Sequence, residues 1–178
     1  KFIGFSPINY HNEDKPVIIQ ELVSNGTLAD VIDQERKSLA PKEWDATTKL
    51  INIYGIAAAM AFLHSHGIIH RDLKPANILM DEKFYPKVAD FGLSKMVDSQ
   101  EQSSINVQST MGYKGTPIYM APEILSECKY TQACDVYAYA MIVYEIMTTE
   151  TPFIDLNFFQ IVAKVSSGVH PDLPSSIP

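Results

Sequence analysis

Three groups of residues stand at spacings that support chemistry. The first is His70-Arg71-Asp72-Leu73-Lys74-Pro75-Ala76-Asn77, which gathers a carboxylate, an ammonium and a carboxamide in one short segment. The second is Asp90-Phe91-Gly92 and the third is Ala121-Pro122-Glu123. Asp72 can orient an acceptor hydroxyl and take its proton. Asp90 and Asn77 offer one charged and one neutral oxygen, the donors that a hard cation such as Mg²⁺ prefers and shares with phosphates. Lys74 can set an ammonium beside a transferring phosphoryl group and offset the charge developing there. Phosphoryl transfer asks for positioning and charge neutralisation more than for covalent chemistry, and these are its parts. Each motif alone has a plainer reading. An Asp-x-x-x-x-Asn is a solvated loop and an Asp-Phe-Gly is a turn; the ordered set favours chemistry. His64, His66 and His70 have no carboxylate or thiol at ligand spacing. They read as a helix end and a ring packed beneath the loop, not as a metal cluster.

These groups need a scaffold. The stretch Phe2 to Phe5 and the β-branched run Val17 to Leu22 flank a polar turn and predict a hairpin. Ser24-Asn25-Gly26 ends it, and Thr27 is an N-cap for a short helix over about 28–35. A long helix is expected over about 44–66, with Leu50, Ile53, Tyr54, Ala57, Met60 and Leu63 on its buried face and Gly67 closing it. Ile68 to His70 reads as a short strand. Ile78 to Met80 and Tyr85 to Ala89 form a second hairpin around Asp81-Glu82-Lys83. From Ser94 to Tyr113 neither period is present, which predicts a long functional loop. A second strong helix, about 131–149, carries Val136, Tyr139, Ala140, Val143 and Ile146 on one face and is apolar nearly all round, so burial is expected. An amphipathic helix follows over 158–165.

Composition narrows the classes. With 46% hydrophobic and 20% charged residues, the chain fits a globular domain. A net charge of −7 argues against a nucleic-acid surface. Cys128 and Cys134 are too few for a disulfide framework and fit a reducing, cytoplasmic compartment. The longest apolar run, Val136 to Tyr144, is too short to cross a bilayer, and no signal peptide opens the chain; no membrane segment is expected.

The first segment matches H-R-D-L-x-x-x-N, the protein-kinase catalytic loop. With Asp90-Phe91-Gly92 and Ala121-Pro122-Glu123 in order behind it, the chain resembles a eukaryotic protein kinase catalytic domain over nearly all its residues. The resemblance is to the tyrosine-kinase-like group of serine/threonine kinases. It implies an α+β fold: a β-hairpin remnant and hinge of the small lobe over 1–23, and the helical large lobe over 24–178. It implies ATP as donor, Mg²⁺ with Mn²⁺ as an alternative cation, and protein substrates. Lys74-Pro75 and Gly115-Thr116-Pro117-Ile118-Tyr119-Met120 resemble the Ser/Thr form. Carried over by position, Asp72 and Lys74 are catalytic, and Asn77 and Asp90 hold the metal. Glu21, Leu22 and Val23 are the hinge that bonds adenine, with Gln20 as gatekeeper. Gly26, Leu79 and Ala89 line the nucleotide site, and Asp30 reaches the ribose. His70 and Phe91, the latter followed by Gly92, belong to the apolar stack joining the lobes. Asp135 anchors the catalytic loop. Thr116 bonds Asp72 and Lys74. Arg71 pairs with a phosphate on the loop at Ser103, Ser104, Ser109 or, first by spacing, Thr110. The arginine that would pair with Glu123 lies beyond the end.

The departures are absences. No G-x-G-x-x-G, no V-A-I-K-type lysine and no helix with its glutamate partner occur in the sequence. Because the catalytic-loop residues are intact, the expectation is truncation at both ends rather than degeneracy. The piece alone then has little or no kinase activity, while its parent is active. A pseudokinase or scaffold is the alternative, opposed by Asp72, Asn77 and Asp90. A small-molecule phosphotransferase is opposed by Arg71 and by Ala121 to Glu123.

Overall fold

The computed structural model describes residues 2–91, 94–96, 117–127 and 129–174. Gly92, Ser103, Ser104, Ser109, Thr110, Thr116 and Cys128 lie outside the described residues.

Strands β1 (Phe2–Ser6) and β2 (Val17–Gln20) pair antiparallel, with Phe5 opposite Ile18 and a register slip between Phe2 and Gly4. This is the expected hairpin. Helix α1 (Leu28–Arg36) follows, started by a capping box. Thr27 Oγ1 accepts from the Asp30 amide, and the Asp30 carboxylate accepts from the Thr27 amide. One face of α1, Leu28, Val31 and Ile32, enters the core.

Helix α2 (Ala46–Ser65) is capped by Asp45, whose Oδ1 accepts from the Thr48 amide at 2.8 Å. Its buried face is the expected one only in part: Met60 is buried and Ile53 and Leu63 pack against the core. Thr48, Asn52, Ile56 and Met60 are buried, whereas Leu50 and Tyr54 are 60% and 76% exposed. The polar residues decide the rotation. Asn52 Nδ2 donates to the Phe84 carbonyl at 2.8 Å, and the bare Cα of Gly55 leaves room for Pro86. Both contacts seat a hairpin on α2, and they turn Leu50 and Tyr54 outward. By length and composition α2 could also cross a membrane, with a mean hydropathy of 1.4. No unbroken apolar run marks it in the sequence, because Thr48, Lys49 and Asn52 interrupt the run, and in the fold its Ile56 and Met60 lie in the core.

Gly67, at φ +70°, takes the left-handed turn that ends α2. Strand β3 (Ile68–Ile69) comes next, then a 3₁₀ turn (Pro75–Asn77), then β4 (Ile78–Met80) and β5 (Pro86–Val88), paired with Leu79 opposite Lys87. The expected long loop is not wholly irregular: β6 (Lys95–Met96) lies within it and pairs with β3. Neither period can reveal a two-residue strand. After a second 3₁₀ turn (Pro117–Tyr119) come α3 (Pro122–Glu127), α4 (Gln132–Thr148) and α5 (Phe158–Ser166). Helix α4 is not buried all round. Val136 is 58% exposed and Ala140 is exposed, while Asp135, Ala138, Ile142, Glu145 and Ile146 face inward.

The main core joins α1, α2, β4 and α4 through Leu28, Ile32, Ile56, Ile78, Ile142 and Ile146. Each such side chain stabilises the fold by about 1.5–3 kcal/mol through burial. A smaller cluster of Ile118, Ile161 and Val165 seats α5 under the segment that follows residue 116.

Candidate active site

The site hangs from one buried side chain. Asp135, on the first turn of α4, is 2% exposed. Its Oδ2 accepts from the His70 amide at 2.9 Å and its Oδ1 from the Arg71 amide at 3.0 Å. His64 Nε2, at the end of α2, lies 2.8 Å from Oδ2 and donates, since a carboxylate only accepts. Asp135 thus holds the backbone at His70 and Arg71, and His64, read as a mere helix end, shares the same carboxylate. The available signal was a histidine at the boundary of an apolar helix whose partner is distant in sequence.

Arg71 has φ +69°, a left-handed value that costs a non-glycine residue about 1–3 kcal/mol and persists only when its surroundings impose it. The paired Asp135 bonds on either side of the His70–Arg71 peptide impose it here. The turn sends His70 and Asp72 in different directions. His70 is fully buried, with Nδ1 accepting from the Asp72 amide at 3.3 Å and Nε2 donating to the Ala89 carbonyl at 2.9 Å. Its ring also stacks on Phe91, with centroids 5.3 Å apart. The ring thus joins the loop to the segment bearing Asp90.

Asp72 is held on two sides. Lys74 Nζ donates to Oδ1 at 3.0 Å and to Oδ2 at 2.7 Å. Asn77 Nδ2 donates to the Asp72 carbonyl at 2.7 Å and to Oδ2 at 2.9 Å. Two acceptors facing the amide place its NH₂ group there, so Asn77 Oδ1 points away. That oxygen has no hydrogen bond among the described residues, and it suits a hard cation. Ladder bonding brings the second candidate ligand close: the Ala89 amide donates to the Asn77 carbonyl at 2.9 Å, and Asp90 is the next residue. Asp90 is exposed and adopts φ +60°. A neutral oxygen and a carboxylate at the open end of one hairpin fit a divalent metal bridging to phosphates.

The expected nucleotide side is assembled by the hinge and β4. The Met80 amide donates to the Gly26 carbonyl at 2.9 Å, and Thr27 forms an isolated bridge with Leu79. Gly26 has φ +70°, and a Cβ there would meet Asp30 Oδ2 at 2.8 Å. Asp30 is therefore committed to its helix cap, with both the Thr27 amide and the Thr27 hydroxyl on Oδ2. These Thr27 bonds hold its carboxyl below the usual range. Only Oδ1 is left for a ribose. Gln20 and Leu22 are exposed, Leu22 by 91%, and Glu21 and Val23 are half-buried. Glu21 accepts from Lys87 Nζ at 2.5 Å, which holds its carboxyl well below the usual range and ties the hinge to β5.

Below the loop, Arg71 lies 5.2 Å from the Tyr130 ring, and its buried Nε has no partner among the described residues. Glu123 accepts from the Cys134 thiol at 3.5 Å. Burial, then the Glu123 charge, pushes that thiol up. A further pair went unread in the sequence: Tyr119 OH donates to Glu145 Oε1 at 2.5 Å. A lone acid inside an apolar helix was its signal.

The protein kinase domain family matches residues 7–170. A LIM domain-containing serine/threonine-protein kinase of Dictyostelium discoideum is 37% identical over 99% of this chain, which spans 25% of that relative. A protein kinase and PP2C-like domain-containing protein of Arabidopsis thaliana is 35% identical over 86% of the chain, covering 26% of the relative. The serine/threonine-protein kinase RUNKEL, also from Arabidopsis thaliana, is 36% identical over 89% of the chain and 11% of its own length. The chain thus spans about a quarter or less of these relatives. The match runs through the loop hung from Asp135 and through the hairpin carrying Asn77 and Asp90, and on that ground the chain belongs to the protein kinase family.

Proposed function

We propose that this chain is the catalytic part of a protein serine/threonine kinase, passing the ATP γ-phosphate to a Ser or Thr hydroxyl of a protein. Protein kinases as a family use ATP and Mg²⁺. One observation carries the reading: the Asp72 carboxylate is gripped by Lys74 and Asn77 beside the residue preceding Asp90. In that grip Asp72 orients the acceptor hydroxyl and takes its proton. Lys74, already on both Asp72 oxygens, holds the carboxylate and faces the phosphoryl group in transit. Asn77 Oδ1 and Asp90 would hold Mg²⁺, which neutralises phosphate charge when bound. The hinge residues Glu21 to Val23 would bond adenine through their backbone, with Leu79 and Ala89 beneath it. Arg71, whose buried Nε has no partner among the described residues, would take a phosphate on the loop, with Thr110 our first choice of site. Lys74-Pro75 supports serine/threonine over tyrosine acceptors. We assign residues 1–23 to a small-lobe hairpin and hinge and residues 24–178 to the large lobe.

The test is transfer of labelled γ-phosphate by the full-length protein. Asp72→Ala should abolish turnover while nucleotide affinity stays within about threefold, because the residue acts on the acceptor and not on ATP. Asp90→Asn should raise the Mg²⁺ concentration needed for half-maximal rate. Turnover that survives Asp72→Ala would refute the assignment.

A further inference from the structure

Asn25 stands where the hinge gives way to α1, and the chemistry above makes no use of it. Its amide donates to the Met80 carbonyl at 3.3 Å, and the Met80 amide donates in return to the Gly26 carbonyl at 2.9 Å. Its side chain adds a third bond, Asn25 Nδ2 donating to the Asp81 carbonyl at 2.8 Å. With the bridge between Thr27 and Leu79, residues 25–27 lie along the edge of β4 that β5 leaves free.

Little else fixes the hinge. Leu22, Val23 and Ser24 make no hydrogen bond among the described residues, and Leu22 is 91% exposed. Beside them lies an open cavity of about 410 Å³, lined by Val23, Ser24, Asp81, Tyr85 and Lys87 among others, so no packed side chains back the span. The hinge is therefore strung between two ties to the β4–β5 hairpin: Lys87 on Glu21 at its start and Asn25 on Asp81 at its end. The first is a solvent-exposed ion pair, a kind of contact that contributes little. The second is a partly buried hydrogen bond. It also sets Gly26, whose Cα lies so close to Asp30 that a Cβ would stand 2.8 Å from Oδ2. Asp30 Oδ1 is the atom left for a ribose. The other end of the hairpin is fixed separately, since Asn77 bonds Asp72 and accepts from the Ala89 amide. Cutting the Asn25 bond thus frees the Asp81 end and leaves the end that carries the candidate metal ligands.

We propose that Asn25 is a positioning residue for the nucleoside half of ATP, its carboxamide NH₂ fastening the hinge and the start of α1 to the Asp81 turn. This rests on the kinase reading given above. An asparagine that serves only to make a turn acts through its side-chain oxygen, and aspartate does the same. Here the donor is what counts, and an ionised aspartate has none.

The test uses the full-length protein with myelin basic protein as acceptor, varying acceptor and ATP separately. Asn25→Ala should raise ATP KM roughly fivefold, what one lost neutral hydrogen bond produces, with kcat and acceptor KM within about twofold. Asn25→Asp keeps the size and the turn preference but faces the Asp81 carbonyl with a second acceptor. It should exceed the alanine variant, raising ATP KM about tenfold or more. Two competitive inhibitors then divide the nucleotide: adenosine should lose affinity in parallel with ATP, and inorganic tripolyphosphate with Mg²⁺ should not. If the substitutions impair folding, the wild-type protein carries the test. Coupling is reciprocal, so adenosine should slow hydrogen exchange at the Met80 amide, and tripolyphosphate should leave it unchanged. ATP KM unchanged in Asn25→Asp overturns this inference alone. So does tripolyphosphate weakened as much as adenosine, or Met80 exchange indifferent to adenosine. A wild-type protein that neither binds adenosine nor transfers phosphate overturns the kinase reading, and this inference with it.

Discussion

Asp135→Asn is the sharpest probe of how the catalytic loop is held. The carboxylate accepts from two backbone amides and one imidazole, at 2.9, 3.0 and 2.8 Å. An asparagine keeps one oxygen and turns an NH₂ group towards the other donors. With its NH₂ group in place of Oδ2 the His70 and His64 donors both lose their acceptor; in place of Oδ1 only the Arg71 amide does. In that cheaper orientation one charge-assisted bond is lost, worth about 1.5–3 kcal/mol, and a buried donor is left facing a donor, at about 1–3 kcal/mol more. The sum is about 2.5–6 kcal/mol, a range that brackets the usual cost, about 3–5 kcal/mol, of breaking a buried charged contact. It should lower the unfolding midpoint of the domain by roughly 10 °C, read by calorimetry. The effect on rate has a separate origin. Arg71 sits at φ +69° because its amide is held. Once that hold is gone, about 1–3 kcal/mol of backbone strain favours relaxation of the loop. A shift of about 1 Å at Asp72 should cost about a hundredfold in kcat. Amide hydrogen exchange reports the hold directly, and His70 and Arg71 should lose protection before the β4 amides do. Retained protection at both amides with kcat within threefold of wild type would refute this account of the anchor.

Gly55→Ala should destabilise the domain by about 1–2 kcal/mol although alanine favours helix, because its Cβ would stand 2.8 Å from Pro86 Cγ; equal or higher thermal stability would show that β5 yields freely. Glu145 carries a raised carboxyl pKa in the fold, caused first by burial. Its contribution to stability is therefore fully present below its unfolded value of 4.5 and is lost as pH rises through the higher folded value. Glu145→Gln keeps an oxygen for Tyr119 OH and removes the buried charge. The variant should gain stability relative to wild type from pH 5 to pH 8, as followed by thermal unfolding across that range; a difference independent of pH would contradict it.

The residues proposed for the chemistry could be picked out because phosphoryl transfer restricts residue types within a few positions. Asp72, Lys74 and Asn77 form one contiguous motif, and a contiguous motif needs no knowledge of the fold. One helix start was legible for a similar local reason: Thr27 was read as an N-cap and caps α1 with its side chain, whereas Asp45 and Asn157, which cap α2 and α5 in the same way, went unread. The buried faces of α2 and α4 were legible only in part. Apolar spacing put Leu50, Tyr54 and Val136 inside, and all three are exposed. On a helix apolar nearly all round, periodicity has no contrast, and the rotation is set by what the neighbours demand. Asn52 must reach the Phe84 carbonyl, and Gly55 must receive Pro86.

The sequence by itself determined the family, the residues proposed as acid and oxygen donors, and most of the elements that carry them. These follow from covalent neighbours and local propensity. Only the tertiary structure decided how those groups are held. It put Asp135 under the His70–Arg71 peptide, recruited His64, committed Asp30 to a helix cap and brought Tyr119 onto Glu145. Each of those contacts joins residues through hydrogen bonds whose partner is chosen by packing. A buried donor accepts whichever oxygen the fold brings within about 3 Å, and no spacing along the chain encodes that choice.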